Sequence, residues 1–269
     1  MSRDFREILY PQWAAKKFVC VGLDSDAKKL PKSVDGQYEF NLQIVEATKD
    51  IACAYKPNLA FYRGEIGKGV LRSTIRSGKR LAPRALWILD AKYQDIDNTN
   101  DGYVEEAFDY FGVDAVTIHN YLGHEATAPF LARKDKLVIV LCRTSNPGAG
   151  EFQDLTIERT GFRRLYEVVA HNVATTWNTN GNCGLVVGAT SPGELLRVRK
   201  HAPDLPLLIP GIGAQGGDLE ATVKAAGGKM LINSSRGIIF ASSGDDYFDA
   251  ARREALKLDA AIRAALPAT

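Results

Sequence analysis

Cysteine is sparse and scattered in this chain. Its 269 residues include four cysteines, Cys20, Cys53, Cys142 and Cys183, and no Cys-x-x-Cys pair, which excludes the usual redox and thiolate-zinc motifs. Three of them lie in or beside apolar runs, so buried free thiols are expected. No stretch approaches the ~20 apolar residues of a membrane span. The first residues, Met1-Ser2-Arg3-Asp4-Phe5-Arg6, lack the apolar segment of a secretory signal. Positive charge is not concentrated either: the formal net charge of +2 comes from scattered Lys and Arg rather than the stripe a phosphate-backbone binder displays. Pro/Ser-rich linkers and low-complexity tracts are missing as well. The expectation is a soluble, intracellular, cytoplasmic protein with neither nucleic acid nor membrane as partner. At 45% hydrophobic and 25% charged residues it can bury a sizeable core, in one domain over residues 1–269.

What the chain does have is a regular alternation. Short β-rich apolar runs occur near Phe18–Leu23, Ile51–Tyr55, Leu86–Leu89, Ala115–Ile118, Leu137–Cys142, Leu185–Val187, Leu207–Ile209 and Met230–Ile232. Between them, helical periodicity is legible over Asn41–Asp50, Tyr103–Phe111, Gly161–Thr176, Pro192–Lys200 and Asp218–Ala226, and a last helix over Asp246–Ala265. The strands are apolar throughout rather than alternating, as in a parallel sheet covered on both faces. Eight strands with intervening helices predict an α/β fold, a (β/α)8 TIM barrel, with a doubly wound open sheet as the alternative.

The most informative segment is Asp90-Ala91-Lys92-Tyr93-Gln94-Asp95-Ile96-Asp97-Asn98-Thr99, which follows the third apolar run. Residues two apart on a strand face one side, so Asp90 and Lys92 emerge together, with Asp95 about one turn further on. The spacing predicts that two carboxylates and an ammonium share one pocket, holding Lys92 protonated as a proton donor. The competing reading is a surface ion-pair cluster, which contributes little.

In a barrel, the polar residues just past each strand form the active site. Asp24 follows the first run, where a helix cap is the rival role, and Lys56 follows the second, in Tyr55-Lys56-Pro57-Asn58. His119 and His124 lack the spacing of a helical ligand pair and an evident acidic third ligand, so no metal site is expected. After the seventh run stands Pro210-Gly211-Ile212-Gly213-Ala214-Gln215-Gly216-Gly217-Asp218, and after the eighth Ser234-Ser235-Arg236-Gly237. The glycines resemble a dinucleotide fingerprint, but an arginine stands where that fingerprint wants an acid. Close-approaching amides, a helix amino terminus and Arg236 instead suit a phosphate at this corner. The residues alone therefore predict a phosphorylated small molecule between the last two strands, facing a Lys-Asp-Lys-Asp array.

The motif Asp90-x-Lys92-x-x-Asp95-Ile96-x-x-Thr99, with Asp24, Tyr55-Lys56-Pro57, Thr144-Ser145-Asn146-Pro147-Gly148 and Pro210-Gly211-x-Gly213-Ala214-Gln215-Gly216-Gly217, resembles the orotidine 5'-phosphate decarboxylases, in particular a longer bacterial-type subgroup. The resemblance implies conversion of orotidine 5'-monophosphate to uridine 5'-monophosphate and CO2, the last step of de novo pyrimidine synthesis, with no metal or organic cofactor. It implies that Lys92 stabilises the carbanion and delivers the proton, that Asp90 positions and charges Lys92, and that Lys56 and Asp24 hold ribose hydroxyls. It further assigns the base to Ser145, and the phosphate to Gln215, Arg236 and the amides around Pro210, Gly213 and Gly216. Asp95, Ile96 and Thr99 would reach the neighbouring subunit's site in a homodimer. Magnesium-dependent sugar-phosphate relatives on the same barrel, and a catalytically silent nucleotide sensor, are the alternatives. Tyr93-Gln94 departs from the Phe-His or Arg-Gly expected in the family. The segments Ser145–Gln153 and Ala189–Pro192 are the expected lids.

Overall fold

A computed structural model describes residues 3–96, 98–158, 161, 164–189, 192–212 and 218–267 of the chain. Eight strands run through it: β1 (Val19–Gly22), β2 (Ala54–Lys56), β3 (Leu86–Tyr93), β4 (Ala115–Ile118), β5 (Leu137–Arg143), β6 (Cys183–Val187), β7 (Leu207–Pro210) and β8 (Met230–Ser234). Each pairs in parallel with the next, and β8 pairs back onto β1, closing the barrel. The expected (β/α)8 architecture is therefore the observed one, and the open-sheet alternative is excluded.

The two-residue period of the strands sorts their side chains. Val19, Val21, Tyr55, Trp87, Leu89, Val116, Val138, Val140, Leu185, Leu207 and Ile232 face outward into the layer between sheet and helices. Cys20, Ala54, Ile88, Ala115, Ile139, Val186, Leu208 and Leu231 face inward and fill the barrel, as an eight-stranded barrel requires. All four cysteines are free and buried, as expected from their apolar runs.

Around the barrel lie α2 (Gly36–Thr48), α3 (Gly64–Leu81), α4 (Thr99–Val104, continued by a π-helical turn to Tyr110), α5 (Gly123–Leu131), α6 (Gly150–Gln153), α7 (Leu165–Asn172, with a π-helical turn to Trp177), α8 (Pro192–His201), α9 (Leu219–Ala226), α10 (Arg236–Ile239) and α11 (Tyr247–Ala265). Helix α11 packs on the barrel and its neighbours, burying Ala251, Ala255 and Ile262 in the main core. The longest miss of the sequence reading is α3, whose Gly64, Gly67, Gly69 and Gly78 argue against a helix. Packing overrides propensity there: a Cβ on Gly78 would stand 2.2 Å from the Trp87 indole, so only glycine lets α3 seat against β3.

An amino-terminal helix, α1 (Phe5–Ala14), closes the end of the barrel opposite the site. Phe5 and Leu9 are buried with the inward-facing strand residues. Arg3 pairs with the fully buried Asp114 just before β4 (3.1 Å), while Arg6 donates to the carbonyls of Lys134, Asn180 and Gly181 ahead of β5 and β6. The Trp13 indole donates to the Met230 carbonyl at the start of β8 (2.8 Å).

Candidate active site

The site begins where inward-facing apolar residues give way to polar ones two positions along the same strands. Ala54 is followed by Lys56, Ile88 by Asp90, Ala115 by Thr117, Leu231 by Asn233. Strand β3 does not end at Leu89 as the apolar run suggested but continues to Tyr93, so Asp90 and Lys92 belong to the strand itself. Its pairing with β4 shifts register between Leu89 and Tyr93. Lys92 sits there in the left-handed region with φ 54°, a conformation that costs a non-glycine residue on the order of 1–2 kcal/mol.

Asp90 is the centre of the array. Its Oδ2 accepts from Lys56 Nζ (2.8 Å) and from Asn58 Nδ2 (3.4 Å). Its Oδ1 accepts from Lys92 Nζ (2.6 Å) and from Thr117 Oγ1 (2.9 Å). Thr117 Oγ1 in turn accepts the Lys92 backbone N–H at 3.1 Å. This is a buried network and not the surface cluster of the competing reading: the side chains of Lys56 and Asp90 are 4% and 11% exposed, whereas Lys92 is 46% exposed at the mouth. Burial works against the Asp90 carboxylate, but Lys56 and Lys92 outweigh it and hold Asp90 well below the ordinary carboxylate range. Burial likewise works against the Lys56 ammonium, yet Asp90 and Asp24 leave it above the ordinary lysine range. Beneath them, burial pushes the Cys20 thiol up to about 12, so it is neutral filler.

Asp24 does not cap a helix. Its Oδ1 lies 3.9 Å from Lys56 Nζ and is buried without a hydrogen-bond donor, while Asp26 caps the next turn by accepting from the Lys28 N–H. Asp24, Lys56 and Asp90 line a cavity of about 170 Å³ together with Pro210, Gly211, Asn233 and Arg236. Lys56, Asp90 and Pro210 also line an adjoining cavity of about 500 Å³, completed by Lys92, Thr117, Thr144, Ser145, Gln153 and the apolar Leu141, Val186 and Leu208. One cleft thus has a charged corner at β7–β8, a charge array in the middle and a half-apolar compartment under the β5 loop. Gln153 fixes that loop by accepting the Thr144 N–H (2.8 Å). Arg143 at the end of β5 ties Asp154 to Glu194 of α8 at 3.1 and 3.2 Å.

Of the residues predicted from sequence, Asp24, Lys56, Asp90, Lys92, Ser145, Pro210 and Arg236 line this cleft. Gly213, Gln215 and Gly216 lie outside the described residues, as do two positions of the second lid, Thr190 and Ser191. Asp95 corrects the spacing argument: within one chain it makes no ion pair with Lys92. Gln94 turns inward to donate to Thr127 Oγ1 (2.7 Å), the strand ends, and the Asp95 carboxylate folds back to accept the Ile96 N–H (2.8 Å). Ile96 is 58% exposed, and Thr99 is exposed at the start of α4. The unusual Tyr93-Gln94 pair is buried: the Tyr93 ring stacks on Tyr103 with centroids 4.5 Å apart, and its hydroxyl donates to Glu106, which also holds Lys68. His119 and His124 are occupied elsewhere, His119 with the Gln94 carbonyl and His124 stacked on Trp177. Sequence reasoning gave no role to Asn58 or Thr117. The available signal for Thr117 is one hydroxyl in the otherwise apolar strand Ala115–Ile118.

A closed parallel barrel carrying a buried carboxylate between two lysines at its carboxyl-terminal mouth defines a (β/α)8-barrel enzyme. Residues 17–247 match the model of the orotidine 5'-phosphate decarboxylase / HUMPS family, and the chain belongs to that family. It is similar to the orotidine 5'-phosphate decarboxylase of Azoarcus sp. strain BH72, with 46% identity over 97% of this chain and 98% of the relative. Among solved structures it resembles Leishmania donovani OMP decarboxylase, with 37% identity, a TM-score of 0.82, and 97% and 99% of the two chains covered. The Leishmania donovani UMP synthase structure matches at 39% identity and a TM-score of 0.85 over 97% of this chain, which spans 57% of that longer protein.

Proposed function

We propose that the cleft decarboxylates orotidine 5'-monophosphate with Lys92 as the proton donor and Asp90 as the group that holds and aims it. The conversion to uridine 5'-monophosphate, in pyrimidine biosynthesis, goes with the family. The residue roles rest on the observation that one buried carboxylate, Asp90, is shared by Lys56 and Lys92 beside a pocket bearing Arg236.

With the phosphate at the β7–β8 corner, near Arg236, and the base under Ser145, the reacting carbon lies at the Lys92 ammonium. The bond from that carbon to the carboxylate breaks, the electron pair stays on the ring, and CO2 departs. The ammonium stabilises the developing carbanion electrostatically, then transfers its proton to the carbon and is recharged from solvent. The buried, donorless Asp24 Oδ1 supports a ribose hydroxyl as its partner, since an unsatisfied acceptor costs about 1–3 kcal/mol. Gly213, Gln215 and Gly216 would add phosphate donors. No metal or organic cofactor enters this scheme.

The same reading makes the protein a homodimer closed over the mouth. Support comes from exposed apolar side chains on the segments around the cleft, Ile96, Tyr121 (89% exposed) and Phe152 of α6 (61% exposed), and from an Asp95 carboxylate that, among the described residues, no lysine holds. Asp95, Ile96 and Thr99 would then complete the partner's site.

The test is loss of the orotate absorbance on adding orotidine 5'-monophosphate, with and without chelator. Chelator-insensitive turnover is expected. Lys92→Ala should lose turnover by at least roughly 10³-fold while still binding uridine 5'-monophosphate. Wild-type-like turnover by Lys92→Ala would sink the assignment, and turnover only of a sugar phosphate with magnesium would replace the substrate.

A further inference from the structure

Lys92 holds an uncommon backbone conformation in the middle of the reacting array, and a single hydroxyl bonds both that backbone and the carboxylate beside it. We propose that Thr117 is a positioning residue for decarboxylation: it fixes the Lys92 main chain and the Asp90 carboxylate relative to each other. The proposal rests on the roles given to Lys92 and Asp90 above.

Three observations carry it. First, Thr117 faces into the barrel two residues beyond Ala115 and is 1% exposed, so its hydroxyl must find its partners inside the protein. Second, both capacities of that hydroxyl are used on the array: it donates to Asp90 Oδ1 at 2.9 Å and accepts the Lys92 N–H at 3.1 Å. Third, the accepted N–H belongs to the residue at φ 54°, where the register between β3 and β4 shifts. The ladder on that edge is interrupted, and a side chain on β4 replaces the missing strand partner. The Lys92 side chain is long and 46% exposed, so one ion pair alone leaves its terminal nitrogen poorly confined. Anchoring its backbone to the group that also locks Asp90 removes that freedom before substrate arrives, which matters for a step sensitive to small displacements. Serine retains the needed hydroxyl, whereas valine has the same shape and neither donates nor accepts.

The test compares Thr117→Val and Thr117→Ser with wild type and Lys92→Ala. Thr117→Val is expected to lower kcat roughly 10- to 100-fold while KM and the affinity for uridine 5'-monophosphate change less than about threefold. That retained product binding also shows the variant is folded. Thr117→Ser is expected to recover kcat to within about threefold of wild type. An unchanged kcat in Thr117→Val, a loss confined to KM, or a Thr117→Ser as slow as the valine variant would overturn the proposal. Should Thr117→Val fail to bind product, Thr117→Ser carries the decision with Thr117→Ala beside it: serine active and alanine slow in kcat supports positioning, equal kcat refutes it. If Lys92→Ala itself retained turnover, the proton-donor reading would fall first, which separates the two failures.

Discussion

Gly188, just past β6, lies so close to Ser145 that a Cβ placed on it would stand 2.7 Å from the Ser145 Cβ and 3.0 Å from the Ser145 nitrogen. The absence of a side chain on one strand end therefore sets where Ser145, on the neighbouring strand end, sits. Gly188→Ala must push the Ser145 loop out. A tenfold or larger rise in KM for orotidine 5'-monophosphate is expected, with kcat falling less and a stability loss of about 1–3 kcal/mol. Steady-state kinetics on the purified variant decide it, and an unchanged KM would show that Ser145 does not meet the base.

The Asp90 carboxylate compensates a lysine that is almost wholly buried, so Asp90→Asn leaves Lys56 without its main counter-charge. A loss of about 3–5 kcal/mol is expected at pH 7. Because the folded protein holds Asp90 below its usual range, its contribution is complete above the unfolded carboxylate value and is lost as pH falls through the folded one. The gap in thermal midpoint between wild type and Asp90→Asn should narrow below about pH 4. A gap that widens with acid would contradict the array.

Lys56 titrates in the opposite sense. Its folded value is raised, so its contribution is present below the unfolded lysine value and lost as pH rises through the higher folded one. Between about pH 5 and 9 both groups keep their charges, and denaturant melts of wild type across that window should show no inflection that Lys56→Met removes.

Tyr93 links β3 to α3 and to the π-helical turn after α4 through Glu106 and Lys68. Tyr93→Phe removes that donor and leaves Glu106 to Lys68 alone. A destabilisation of about 1–2 kcal/mol and faster amide exchange over residues 93–95 are expected, with turnover within a few-fold of wild type. Hydrogen exchange read by mass spectrometry would show it, and unchanged protection there would remove Tyr93 from the support of the strand.

Phe5 is buried at the closed end of the barrel, remote from every cleft residue. Phe5→Ala should cost about 3–5 kcal/mol without changing kcat or KM of the folded fraction at low temperature. A change in KM would mean that the two ends of the barrel are coupled.

The barrel was legible because parallel strands buried on both faces read as continuous apolar runs. Asp24, Lys56, Asp90 and Lys92 were legible because charge at the end of such a run has few structural uses. Thr117 was not, since a threonine in a strand satisfies β-propensity and attracts no notice. Helix α3 was hidden by its glycines, one of which, Gly78, gives room to Trp87 that exists only in three dimensions. That Asp95 joins no ion pair with Lys92 in its own chain was not legible, because spacing places it one turn into the loop but does not say that Gln94 turns inward and the carboxylate folds back on the Ile96 N–H. Position in sequence gave the direction of each strand but not where its pairing broke, and the break is what bends Lys92 into the site.

Helix α1 lies across the starts of the strands, while the cleft opens at their far ends. Tyr10 on that helix is 47% exposed. A tether attached through Tyr10, to a sensor chip or a resin, would leave the cleft pointing into solution, whereas one attached near Tyr121 would bury it against the support. For anyone immobilising this protein, the handle belongs on the amino-terminal helix.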